Sequence, residues 1–126
     1  MPFKALLKEL VLSAQGASGA ILLEADGEAV QWYAENEKVG MIEVERLRLR
    51  AAYVAMMLRG CLAAAARTNS GDAGCTVLQY EGASFIGQEV ESDYFLVLEL
   101  DSSANLGQAL YRIQPALANL RRALMS

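Results

Sequence analysis

Residues 41–67 carry two separate apolar stripes at helical spacing, and this doubling constrains the fold more than any other feature. One stripe is Leu47, Ala51, Val54, Leu58, Leu62 and Ala65; the other is Leu49, Tyr53, Met56, Gly60 and Ala63. Both step by three or four residues, so each reads as one face of a helix. Positions 47 and 49 lie about 200° apart, at roughly 100° per residue, which puts the stripes on nearly opposite sides. A helix in a small domain buries one face in its own core. A second apolar face needs a second cover, and in a short chain the simplest cover is another copy of the chain. The pattern points to an interaction protein before it points to an enzyme.

The bulk numbers agree. The chain of 126 residues is long enough for one domain with one core, spanning 1–126, and too short for two. Apolar residues make up 54% and charged residues 21%, which argues against disorder and leaves room for a buried interface. The net charge of −4 argues against nucleic acid and anionic membrane as partners. The charge is uneven, however. Arg46, Arg48, Arg50, Arg59 and Arg67 outnumber Glu43 and Glu45 within 41–67, so a basic helix sits on an acidic body.

Cys61 and Cys75 are the only cysteines, and there is no histidine. Two isolated thiols make neither a disulfide framework nor a zinc site, so both are expected as small core residues in a reducing compartment. Lys4, Lys8 and Glu9 interrupt the N-terminal apolar pattern, so no signal peptide is expected. The run from Ala51 to Ala66 contains Arg59 and falls short of the roughly 20 residues that span a bilayer. A cytoplasmic protein without membrane insertion is expected.

Phe3, Leu6, Leu7, Leu10, Val11 and Ala14 predict a short first helix, broken by Gly16 and Gly19. Ala20–Ala25 and Ala29–Ala34 read as a hairpin around Asp26-Gly27. Residues 35–40 read as a polar loop, 41–67 as the long helix and 68–74 as a second loop. Three antiparallel strands follow, at Cys75–Glu81, Ala83–Val90 and Tyr94–Leu100. Asn105 is a good N-cap for a last helix with the stripe Leu106, Leu110, Ile113, Leu117, Leu120 and Leu124. Pro115 interrupts it chemically but not in phase, so one helix is expected, kinked or destabilised by about 3 kcal/mol. Ala20–Leu23 and Tyr94–Val97 are apolar on both faces and should be central strands, with Cys75–Glu81 at an edge.

Catalytic chemistry is not visible. Without histidine there is no usual neutral-pH base and no triad. Gly16-Ala17-Ser18-Gly19 lacks the Lys-Ser/Thr pair of a phosphate loop and precedes a strand, so it reads as a turn. Glu24, Asp26 and Glu28 alternate near the hairpin and read as a solvated turn rather than a cation site. No catalytic residue, cofactor or metal is expected.

The segment Gly16-Ala17-Ser18-Gly19-Ala20-Ile21-Leu22-Leu23 with Asp26-Gly27 resembles the opening of the roadblock/dynein light chain family. Ala104-Asn105-Leu106-Gly107, followed by its Leu and Ala stripe, resembles the last helix of the bacterial members. The element order α-β-β-α-β-β-β-α agrees over essentially the whole chain. The resemblance implies an α+β fold: a five-stranded antiparallel sheet with the long helix on one face and the terminal helices on the other. It also implies a homodimer joined through the long helix and the Cys75–Glu81 edge, and a non-catalytic role as regulator or scaffold of a Ras-like GTPase.

Taken with the stripes, these features predict a self-association surface of Leu49, Tyr53, Met56, Gly60, Ala63, Ala64, Val77 and Gln79. Arg46 and Arg50 share a side of the helix and are the candidates for meeting an acidic partner, whereas Arg48 points elsewhere. Glu43 and Glu45 stand three residues before Arg46 and Arg48, so local pairing competes with that role. A small-molecule sensor domain and a purely structural dimerisation module are the alternatives.

Overall fold

In a computed structural model, residues 2–35, 41–71 and 74–125 are described, with side chains for all of them except Met41 and Ile42. The elements follow the expected order: α1 (Phe3–Ser13), β1 (Ala17–Glu24), β2 (Ala29–Ala34), α2 (Met41–Arg67), β3 (Thr76–Gln79), β4 (Ala83–Glu91), β5 (Tyr94–Asp101) and α3 (Leu106–Leu124). Most of the loop expected at 35–40, and positions 72 and 73 of the second loop, lie outside the described residues.

Several strand ends differ from the sequence reading, by a single residue at the ends of β1, β4 and β5 and by more at the start of β1 and in β3. β1 starts at Ala17 rather than Ala20, because Gly16 turns the chain at φ 82° and Ala17 already pairs with Leu100. β3 is confined to Thr76–Gln79. Its end is set by the Tyr80 N–H donating to Ala83 O at 2.7 Å, which closes the turn over Glu81-Gly82. Cys75 therefore precedes the strand instead of opening it.

The strands form one antiparallel sheet in the order β2-β1-β5-β4-β3. β1 and β5 are central, as their two-sided apolar sequences require. Side chains alternate across the sheet, so each strand feeds two cores. On one face Ile21, Leu23, Phe85, Phe95 and Val97 meet Ala51, Val54, Ala55 and Leu58 of α2. On the other, Leu22, Ile86, Leu96 and Leu98 meet Leu7, Leu10 and Val11 of α1 and Ile113, Leu117 and Leu120 of α3. α2 comes close to β4 at Gly87, where an added Cβ would stand 2.7 Å from Val54 Cγ1. α3 runs unbroken through Pro115. Its N-cap forms as expected, with Asn105 Oδ1 accepting from the Gln108 N–H at 2.9 Å.

The two edges of the sheet differ. On β2, Gln31 pairs with Leu22 and Ala29 with Leu23, so Val30 is an extra residue that bends the strand. The Trp32 N–H turns away from β1 and donates to Gln31 Oε1 at 3.0 Å. On β3, the bond from Tyr80 fixes the alternation, so the amides of Leu78 and Thr76 face β4. Those of Val77 and Gln79 face outward, where no described side chain reaches them.

The stretch Glu43–Arg67 does meet the length and apolarity of a bilayer span, with a mean hydropathy of 1.3, contrary to the shorter run counted from sequence. Packing explains part of that apolarity: the inner stripe of α2 is core against the sheet.

A candidate interaction surface on the long helix

The first α2 stripe lies inward: Leu47, Ala51, Val54 and Leu58 are buried, and Leu62 and Ala65 are half-buried. The second lies outward. Leu49 is 61% and Met56 55% exposed, and Tyr53, Gly60, Ala63 and Ala64 are exposed beside them. Met57 and Tyr80 join this apolar surface and were missed from sequence. Met57 stands four residues after Tyr53, a helical spacing legible in the sequence. Tyr80 is held edge-on against Phe85, with ring centroids 5.8 Å apart, which places it on the α2 side of the sheet.

Val77 and Gln79 are also exposed, but their side chains do not join the helix stripe. They pair with Ile86 and Ser84, and Ile86 belongs to the core under α1 and α3, so both side chains point to the opposite face from α2. What they offer beside α2 is backbone: the outward amides and carbonyls of the free edge.

The arginines sort by flank. Arg48 stacks over Trp32 of β2, 5.0 Å from the ring centroid, and Arg59 donates to Ala25 O at 3.1 Å. Both are drawn toward the β1–β2 side. Arg46 and Arg50 lie on the other flank, with Met57. The expected local pairs form, Arg46 with Glu43 at 3.3 Å and Arg48 with Glu45 at 3.2 Å. Arg50 has an acid that sequence spacing did not reveal: Glu99 of β5, at 3.8 Å. The other oxygen of Glu99 accepts from Ser18 Oγ at 2.6 Å. Arg50 is thus held at longer than a charge-assisted hydrogen bond, which runs about 2.7–2.9 Å.

Both cysteines are exposed, which corrects the expectation that they are core residues. Cys61 falls just beyond the inner stripe, where the C-terminal part of α2 has few neighbours, and Cys75 precedes the shortened β3. Glu24, Asp26 and Glu28 are exposed, and Asp26 Oδ1 accepts from the Glu28 N–H at 3.0 Å, a turn-closing bond. Asp101 likewise accepts from the Ser103 hydroxyl and amide, and these bonds hold its carboxyl below the usual range. The Glu24/Asp26 turn does adjoin α2, where Arg59 lines a shared cavity with it, but on the flank away from Arg46 and Arg50.

An open antiparallel sheet with one long, half-covered helix on one face and two terminal helices on the other defines an α+β domain of the roadblock type. Solved structures bear this out. A roadblock/LC7 domain from Streptomyces avermitilis matches with a TM-score of 0.82 at 18% identity, over 98% of both chains. MglB of Myxococcus xanthus matches at 0.79 and 17% identity, over 98% of this chain and 87% of that one. MglC of the same organism matches at 0.71 and 23%, over 98% of this chain and 99% of that one. No family model and no curated relative matches the sequence. The chain has the roadblock/LC7 fold.

Proposed function

We propose that this chain is a non-enzymatic cytoplasmic homodimer that regulates or scaffolds a Ras-like small GTPase. The observation that carries the reading is the uncovered outer stripe of α2 lying beside the unpaired edge of β3. Apolar side chains of that size on one helix face lose free energy to water at about 25 cal/mol per Å². Amides facing outward from an edge accept another strand readily. A second copy satisfies both at once. Its α2 covers the stripe from Leu49 to Ala64, and its β3 meets the backbone of Val77 and Gln79. Gly60 and Ala64, one turn apart, let the two helices approach closely.

Pairing of two α2 helices sets two Arg46/Arg50 flanks side by side on an acidic body. Arg50 is only loosely held by Glu99, so a partner carboxylate can compete for it. A GTPase changes the shape of its switch loops with nucleotide, and a braced helical surface can therefore bind one state and release the other.

The test is kinetic binding to Ras-like GTPases from the same genome, each loaded with GDP or a GTP analogue. The expected result is state-dependent binding that slows on reversing Arg46 and Arg50 to Glu and vanishes in Met56→Glu, where a charge interrupts the paired helices. Equal affinity in both states for every GTPase would favour a purely structural dimer.

A further inference from the structure

Glu99 is out of place in its layer. Residues 95, 97 and 99 of β5 share the face that looks toward α2, and Phe95 and Val97 are buried core there. Glu99 follows them with its side chain only 19% exposed. Its cross-strand neighbours are Phe85 of β4 and Gly19 of β1. α2 presses close at this point, since a Cβ added to Gly19 would stand 3.0 Å from Leu47 Cδ2. An ionised carboxylate so placed loses much of its water and has to be met by donors.

Two donors meet it, unequally. Ser18 Oγ donates to Glu99 Oε1 at 2.6 Å, a short charge-assisted bond, while Arg50 Nη1 stands 3.8 Å from Oε2. Ser18 is fixed from behind, because its carbonyl accepts from the Glu35 N–H at 3.0 Å. The carboxylate is therefore drawn toward β1 and held back from the guanidinium. Arg50 carries five N–H donors on a side chain 45% exposed, and one long ion pair leaves most of them open to another acceptor.

We propose that Ser18 and Glu99 are positioning residues that set how readily Arg50 passes to a partner's carboxylate. Glu99 is a competitor built into the chain, and Ser18 weakens it by holding one of its oxygens. The inference rests on the reading that Arg50 meets an acidic partner, and deepens it by naming what regulates that contact. Ser18 and Glu99 act on the partner only through Arg50, because both lie behind it in the sheet.

The consequence is a pair of opposite effects from side chains in contact. Glu99→Gln keeps the shape and an oxygen for the Ser18 hydroxyl but removes the competing charge, so Arg50 should take up external carboxylates more readily. Ser18→Ala releases Oε1, lets the carboxylate close on the guanidinium, and should make Arg50 less available. Ser18→Thr keeps the hydroxyl on a side chain that suits a strand and should behave as wild type. A merely structural role would give Glu99→Gln and Ser18→Ala the same sign, since each disturbs the same bond.

The test reads Arg50 directly. Its Nε–H resonance is followed by NMR while hexaglutamate is added as the carboxylate probe at low ionic strength. The half-saturating peptide concentration should fall by about two- to fivefold in Glu99→Gln, the range of an exposed ion pair, and rise by a similar factor in Ser18→Ala. In the double variant the effect of Ser18→Ala should vanish, because it acts only through the charge of Glu99. Equal concentrations throughout, weaker binding in Glu99→Gln, or a Ser18→Ala effect that persists without that charge would each overturn the proposal. So would an Arg50 resonance that the peptide never moves. The titration uses no GTPase, so a failure of every GTPase to bind would count against the proposed function and not against this ranking.

Discussion

Leu58 and Met56 stand two residues apart on α2, and one is fully buried while the other is 55% exposed. Their stripes are alike in length, spacing and apolar content. Only the inner one is covered by the sheet, through Phe85, Phe95 and Val97. Periodicity locates an apolar face around a helix axis; what packs against it determines whether it becomes core or interface.

Substitutions on the two faces should therefore separate stability from association. The largest effect belongs to Leu58→Ala, which opens a cavity and should cost about 2–5 kcal/mol in denaturant unfolding at any protein concentration. Next is Gly87→Val, which drives a branched side chain into Val54 where α2 approaches β4. It should cost about 1–3 kcal/mol and loosen β3, the strand outside β4, as read by amide exchange at Val77 and Gln79. Met56→Ala should change the unfolding of highly dilute protein by about 0.5 kcal/mol or less. Its effect should instead appear in how melting temperature rises with concentration. A large loss in dilute protein would mean that the outer face already has a cover within the protomer. The smallest perturbation is chemical labelling of Cys61, three residues past Leu58 yet exposed. A thiol reagent should modify it quickly in the folded protomer, and slow modification at every dilution would contradict the exposure of this end of α2.

The sequence made the two-faced helix, the Asp26-Gly27 turn, the Asn105 cap and the central places of β1 and β5 readable, because each is written within a few neighbouring residues. Gly27 does take φ 96°, as its turn needs. What escaped reading depends on residues far apart in the chain. Arg50 finds its acid on β5, and no spacing within α2 could reveal Glu99. The edge position of β3 is legible in its sequence, but only the pairing with Ile86 and Ser84 shows that the side chains of Val77 and Gln79 turn away from α2. The exposed cysteines depart from expectation for a related reason. Small apolar residues are usually inside, yet the end of α2 carries Cys61 to where the sheet offers few partners.

The unequal edges of the sheet decide what strand pairing can build. In the terms of polymer chemistry, a unit with two reactive ends grows without limit, whereas a unit with one makes pairs and stops. The bulge at Val30 and the bond from the Trp32 amide to Gln31 blunt one end of this sheet, and four residues of β3 leave the other end open. In strand pairing the chain is monofunctional: two sheets joined edge to edge through β3 would present only blunted ends, and a chain terminator would be built into every unit.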